Sequence, residues 1–224
     1  MKKTLYILSL IAVITLTSCQ SGLLTNHTAD NQIKLEINIT VKAMQLPAEI
    51  AVPETLPTTI KDSTLLESWI RLYNNTQECR IWDGFSLTGR KLAQYVIDQD
   101  VVITWNTSTM YPGSWADRDN TGTLYINPSY QEETEAQMVN LVNEVAHELF
   151  HDLVPFNQKA DSLYEEYLAF YVGACVSGQS TESFEHIDPT SSGSLAEWFK
   201  SNRHGAYLGR YEMYPEDIVA VSLP

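Results

Sequence analysis

The sequence predicts an α+β domain on three grounds. Two β-branched segments, DVVITWNTST (100–109) and TLYINPSY (123–130), are of strand length. Four others, near 63–73, 88–99, 134–154 and 163–177, are of helical length, the first and third with apolar residues at helical spacing. No internal repeat is present, and the length suits one domain of about 160 residues behind an N-terminal segment.

The chain opens MKKTLYILSLIAVITLTSCQSG. Lys2 and Lys3 precede a short apolar run, Leu5 to Thr17, which is too short for a comfortable membrane span and reads as a secretory signal peptide over 1–18. Its end, Leu16-Thr17-Ser18-Cys19, resembles the lipobox of bacterial lipoproteins. That resemblance implies Cys19 as a lipidated first residue. A plain signal peptide cut nearby, or an uncleaved anchor, is the other reading. Gln20 follows Cys19 where an Asp would imply inner-membrane retention, so the resemblance leans towards the outer membrane of a bacterial cell envelope.

The chain carries 14 basic and 28 acidic residues, a net charge of −14. Removing residues 1–18 takes away two lysines and no acid, leaving −16. A surface this negative repels phosphate backbones and argues against nucleic-acid binding. It suits a soluble body on a lipid tether.

Residues 19–59 read as that tether, with one half-buried strand in IKLEINITVKA (33–43) and a proline-rich connector over 46–59. The compact domain is expected over 60–224. Its first helix, 63–73, takes Asp62 or Ser63 as N-cap and buries Leu65, Leu66, Trp69, Ile70 and Tyr73. A second helix, 88–99, leads into the strand at 100–109. YPGSWADRDNTG (111–122) has turn chemistry throughout, and the strand at 123–130 is stopped by Pro128. A long helix over 134–154 ends at Pro155, and the apolar helix 163–177 follows. One more helix is expected at 194–201, then a tyrosine-rich tail. Cys79 and Cys175 could form one disulfide in an oxidising compartment, or Cys175 could be a plain buried thiol.

The long helix contains His147-Glu148-Leu149-Phe150-His151. Positions i and i+4 share a helix face, so both imidazoles can turn to one point. Zn²⁺ accepts nitrogen ligands and, in catalytic sites, keeps a position open for water. Glu148 is offset around the helix, where a carboxylate can take the proton of that water. Both histidines lie with Asn140, Asn143, Glu144, Glu148 and Asp152 on the polar face. A cleft-lining helix requires this, but a solvated surface helix shows the same pattern.

A third ligand is expected from ADSLYEEYLAFYVGACV (160–176), where Glu165 and Glu166 stand among apolar residues. A carboxylate buried there needs a partner, and a metal is one. With Ser162 as N-cap, Glu165 falls at N3 of a capping box, which leaves Glu166 as the preferred ligand and Glu165 as the alternative. Antiparallel packing of the two helices would set Glu166 opposite His151.

With these residues in place, the sequence resembles the gluzincin metallopeptidases. The resemblance rests on His147-Glu148-Leu149-Phe150-His151 and on Glu166-Tyr167-Leu168-Ala169, and covers roughly 120–176, about a quarter of the chain. It implies a zincin-like domain with a small mixed sheet. It also implies Zn²⁺ held by His147, His151 and Glu166, Glu148 as general base, and a peptide or protein substrate. TLYINPSY resembles the edge strand that holds extended substrate in that fold. Only 14 residues separate His151 from Glu166, a shorter interval than the best-known members have.

His204, Tyr207, Arg210, Tyr211 and Tyr214 in the tail are each candidates for stabilising an oxyanion, though packing or surface roles suit them as well. His27 and His186 are read as packing or surface residues, and Glu144 and Asn140, which share the histidine face, as solvated surface with support of the metal ligands as the alternative. The expected function is a lipid-anchored zinc metallopeptidase. The competing readings are a non-catalytic envelope lipoprotein with HELFH on a solvated face, and a zinc-holding module without turnover.

Overall fold

The computed structural model describes residues 50–82, 84–107, 116–119, 121–131, 134–153, 163–189, 191–202 and 204–209. The signal segment, Cys19, His27, the strand expected at 33–43, Pro155, Ser162, Arg210, Tyr211 and Tyr214 lie outside them. Among the described residues the architecture is α+β, with five α-helices and two small sheets. None of these helices is long and apolar enough to cross a membrane.

Helix α1 (Ser63–Asn74) starts at Asp62, whose Oδ1 accepts from the amides of Thr64 and Leu65 at 2.9 and 3.1 Å. The cap satisfies two of the four amides that every helix start leaves open. Leu65, Leu66, Trp69, Ile70 and Leu72 are buried on one face. The indole of Trp69 donates to the carbonyl of Ala93 at 3.0 Å, which fixes α1 against α2 (Gly89–Asp98). Thr88 caps α2 through the amide of Lys91.

Between these helices lies a hairpin that the sequence reading did not foresee. Strands β1 (Cys79–Trp82) and β2 (Phe85–Leu87) pair antiparallel, with Gly84 in the turn at φ +84°. That conformation favours glycine, which has no Cβ to clash. Cys79 on β1 is bonded to Cys175 across a sequence separation of 96 residues, with Cα atoms 6.0 Å apart. The disulfide alternative is the one realised.

The second sheet is mixed, in the order β3-β5-β4. Strand β3 (Ile103–Trp105) runs parallel to β5 (Leu124–Ile126), and β4 (Ala116–Arg118) runs antiparallel to it. Two expectations change here. The stretch 111–122 is not turn throughout, since it contributes β4. Strand β5 is the central strand of the three and so cannot be an edge. Its backbone hydrogen bonds are committed on both sides, and the described edges are β3 and β4. Pro128 ends β5 as expected, and Pro128–Gln131 turn into a 3₁₀ helix.

Helix α3 (Glu135–Leu153) and helix α4 (Leu163–Ser177) form the centre of the domain. His151 lies by Glu165 and Glu166, Asn143 lies by Gly173 and Gln179, and Asn140 bonds Gln179. Partners therefore run in opposite directions along the chain, and the pair is antiparallel. Helix α4 is apolar on nearly every side, and is buried accordingly against α3, β1 and the fifth helix α5 (Ser192–Ser201). Residues 50–59 also lie on the domain, with Ile50 and Leu56 against the core and the Thr59 hydroxyl donating to Val101 O at 2.6 Å.

Candidate metal centre

Four carboxylates and two imidazoles meet where the C-terminal half of α3 faces the first turn of α4. The helix register explains the meeting. His147, His151, Glu144 and Glu148 fall on one face of α3 through i, i+3 and i, i+4 spacing. Glu165 and Glu166 open α4, and the antiparallel packing brings that end against His151.

The ligand atoms are close together. His147 Nε2 lies 3.2 Å from His151 Nε2 and 3.3 Å from Glu166 Oε2, and His151 Nε2 lies 3.8 Å from Glu166 Oε2. Zinc–ligand bonds of about 2.0–2.1 Å at tetrahedral angles require ligand atoms about 3.3 Å apart. The observed triangle fits that requirement. Among the described residues neither His147 Nδ1 nor Glu166 Oε2, both buried, has a hydrogen-bond partner. For Glu166 Oε2, a metal is a chemically adequate partner.

Glu165 has a role that the sequence reading did not give it. Its Oε1 lies 2.7 Å from His151 Nδ1. A carboxylate only accepts, so Nδ1 carries the proton and donates, and in the neutral ring Nε2 is left as a lone pair facing His147 and Glu166. Glu165 is thus placed to orient the ring. Its expected capping partner, Ser162, lies outside the described residues.

The electrostatics follow from enclosure. Burial works to lower His151, but Glu165 and Glu166 outweigh it and hold the ring well above its ordinary value. Burial likewise opposes the charge on Glu166, yet His147 and His151 hold its carboxyl far below the usual range. Burial pushes Glu148 up, against the pull of His147 and His151. Among the described residues no lysine or arginine sits in this group, so a divalent cation is a fitting counter-charge.

The part of the face that carries the ligands is not solvated. His147 is 5% exposed and Glu148 is half-buried. The helix pattern could not distinguish this from a surface face, because the covering comes from α4, which is distant in the pattern. Glu144 is also half-buried rather than surface, and its carboxylate accepts from the Tyr130 hydroxyl at 3.2 Å. Its spacing of three residues before His147 was the available signal. Asn140 and His186 are exposed, as read.

Of the tail candidates, His204 and Tyr207 are described and half-buried. The His204 ring stacks on Phe170 at 4.2 Å, and Phe170 meets the edge of His147 at 4.6 Å. Burial lowers the His204 pKa. An aromatic layer of Phe170, Trp198 and Tyr207 thus packs His204 behind the ligands.

Comparison of the chain with protein-family models, with the curated proteins and with the solved structures finds no match.

Proposed function

We propose that this chain is a zinc-dependent metallopeptidase, tethered to the cell envelope by lipid on Cys19. The observation that supports it most is the triangle of His147 Nε2, His151 Nε2 and Glu166 Oε2 with Glu148 beside it. Zinc held by these three atoms would polarise a peptide carbonyl and lower the pKa of a water towards about 7. Glu148, enclosed and raised by burial, is suited to take that water's proton and pass it to the leaving amine. Glu165 keeps His151 in the tautomer that offers Nε2. The aromatic layer behind His147 keeps bulk water from the ligands on that side.

The metal content of the purified chain tests this reading. Elemental mass spectrometry is expected to find about one zinc per wild-type chain, and none in His151→Ala or Glu166→Ala. Glu148→Gln is expected to keep its zinc while cleavage of a mixed peptide library falls by about 10²-fold or more. A wild-type chain without zinc after reconstitution would remove the enzyme reading. Zinc kept by Glu166→Ala would move the third ligand to Glu165.

A further inference from the structure

One helical turn before the metal ligands, α3 borders an open pocket of about 340 Å³. Ser129, Tyr130, Gln137, Asn140, Asn143 and Glu144 line it. Its volume is at the lower end of the range for small-ligand sites. Among those lining groups Glu144 is the only carboxylate.

Glu144 stands three residues before His147 and four before Glu148, so its side chain shares their face, about 4.5–6 Å along the axis. Its carboxyl lies within the fields of His147 and Glu166. Glu144 therefore belongs both to the pocket lining and to the ligand face of the helix.

Among the described residues the Glu144 carboxylate has no ion-pair partner. Three of the other enclosed acids nearby are matched, and the fourth, Glu148, stands in the fields of His147 and His151. Asp152 pairs with Arg118, Glu165 with His151, and Glu166 with both histidines. Glu144 has the neutral Tyr130 hydroxyl, and among the described residues no lysine or arginine pairs with it. A carboxylate enclosed this far without a cation is costly unless a ligand brings one.

We infer that this pocket receives the basic side chain of a peptide, lysine or arginine, with Glu144 as its counter-ion. The inference rests on the peptidase reading and names the class of substrate. The neutral polar walls can accept the remaining N–H groups of a guanidinium or ammonium. An acidic side chain would meet Glu144 as a like charge. The net charge of −14 draws cationic peptides to the molecule before they reach the pocket.

Calorimetric titration of the full chain, with zinc supplied, tests the pocket directly. The probes are Nα-acetyl-arginine amide and its uncharged isostere, Nα-acetyl-citrulline amide. The arginine amide is expected to bind about tenfold tighter or more, and Glu144→Gln to erase the difference. Equal binding by the wild type overturns the inference, whether or not the variant folds. So does a preference that Glu144→Gln retains. In the peptide library, arginine or lysine beside the scissile bond is expected to raise kcat/KM over norleucine, and Glu144→Gln to remove that advantage without loss of zinc. Cleavage without that preference overturns the pocket and leaves the peptidase standing. Arginine selectivity in binding without any cleavage leaves the pocket standing and removes the peptidase.

Discussion

Glu165 and Glu166 are chain neighbours with separate contacts. Glu166 Oε2 faces both Nε2 atoms, while Glu165 reaches the far side of His151. Composition and capping could rank them as ligands, since a helix start supplies a rule for N3. They could not reveal that the other glutamate orients a histidine, because that depends on how α4 is rotated against α3. Groups that hold a ligand ring commonly change metal affinity by about 10–100-fold. Glu165→Ala is accordingly expected to keep zinc but weaken it by about that factor, measured by competition with a chelating dye. Glu165→Gln, whose carbonyl can still accept from Nδ1, is expected to recover part of the loss. Unchanged affinity in both variants would show that Glu165 does not orient the ring.

At the scale of elements, the helix pair depends on one small residue. A Cβ added at Gly173 would meet the side chain of Asn143, and its backbone oxygen at 2.9 Å. Asn143 is itself held by Gln179, its Nδ2 donating to Oε1 at 2.5 Å, so it cannot readily move aside. Gly173→Ala is expected to destabilise the fold by about 1–3 kcal/mol by overpacking, seen as a lower urea midpoint. An unchanged midpoint would mean that the helices separate without cost. The helices themselves were legible, because capping residues and apolar spacing act locally. Asp62 and the bounds of α4 are examples. The hairpin of β1 and β2 was not, since strands of four and three residues carry too little alternation to register. β4 was hidden for a similar reason, as Asp117 and Arg118 look like turn residues until β5 supplies their partners.

At the scale of the whole molecule, the Cys79–Cys175 bond joins the hairpin to the central helix. Asn75 adds to it, donating to Val176 O at 2.6 Å. The double variant Cys79→Ala/Cys175→Ala is expected to lose about 2–4 kcal/mol of stability in urea denaturation. Its zinc content is expected to stay at the wild-type level. Loss of the metal would show that the covalent tie, rather than the packing of α3 on α4, sets the ligand geometry. The reason for that expectation lies in how far along the chain each contact reaches. His151 and Glu166 lie 15 positions apart in sequence, and the two cysteines 96. Closing the longer segment costs about 1.7 kcal/mol more in chain entropy than closing the shorter one. The ligand set is thus a short-range assembly that a single interhelical turn can bring together. The bridge spans a distance at which covalent closure contributes most, and a reducing environment would loosen the outer frame before it reached the ligands.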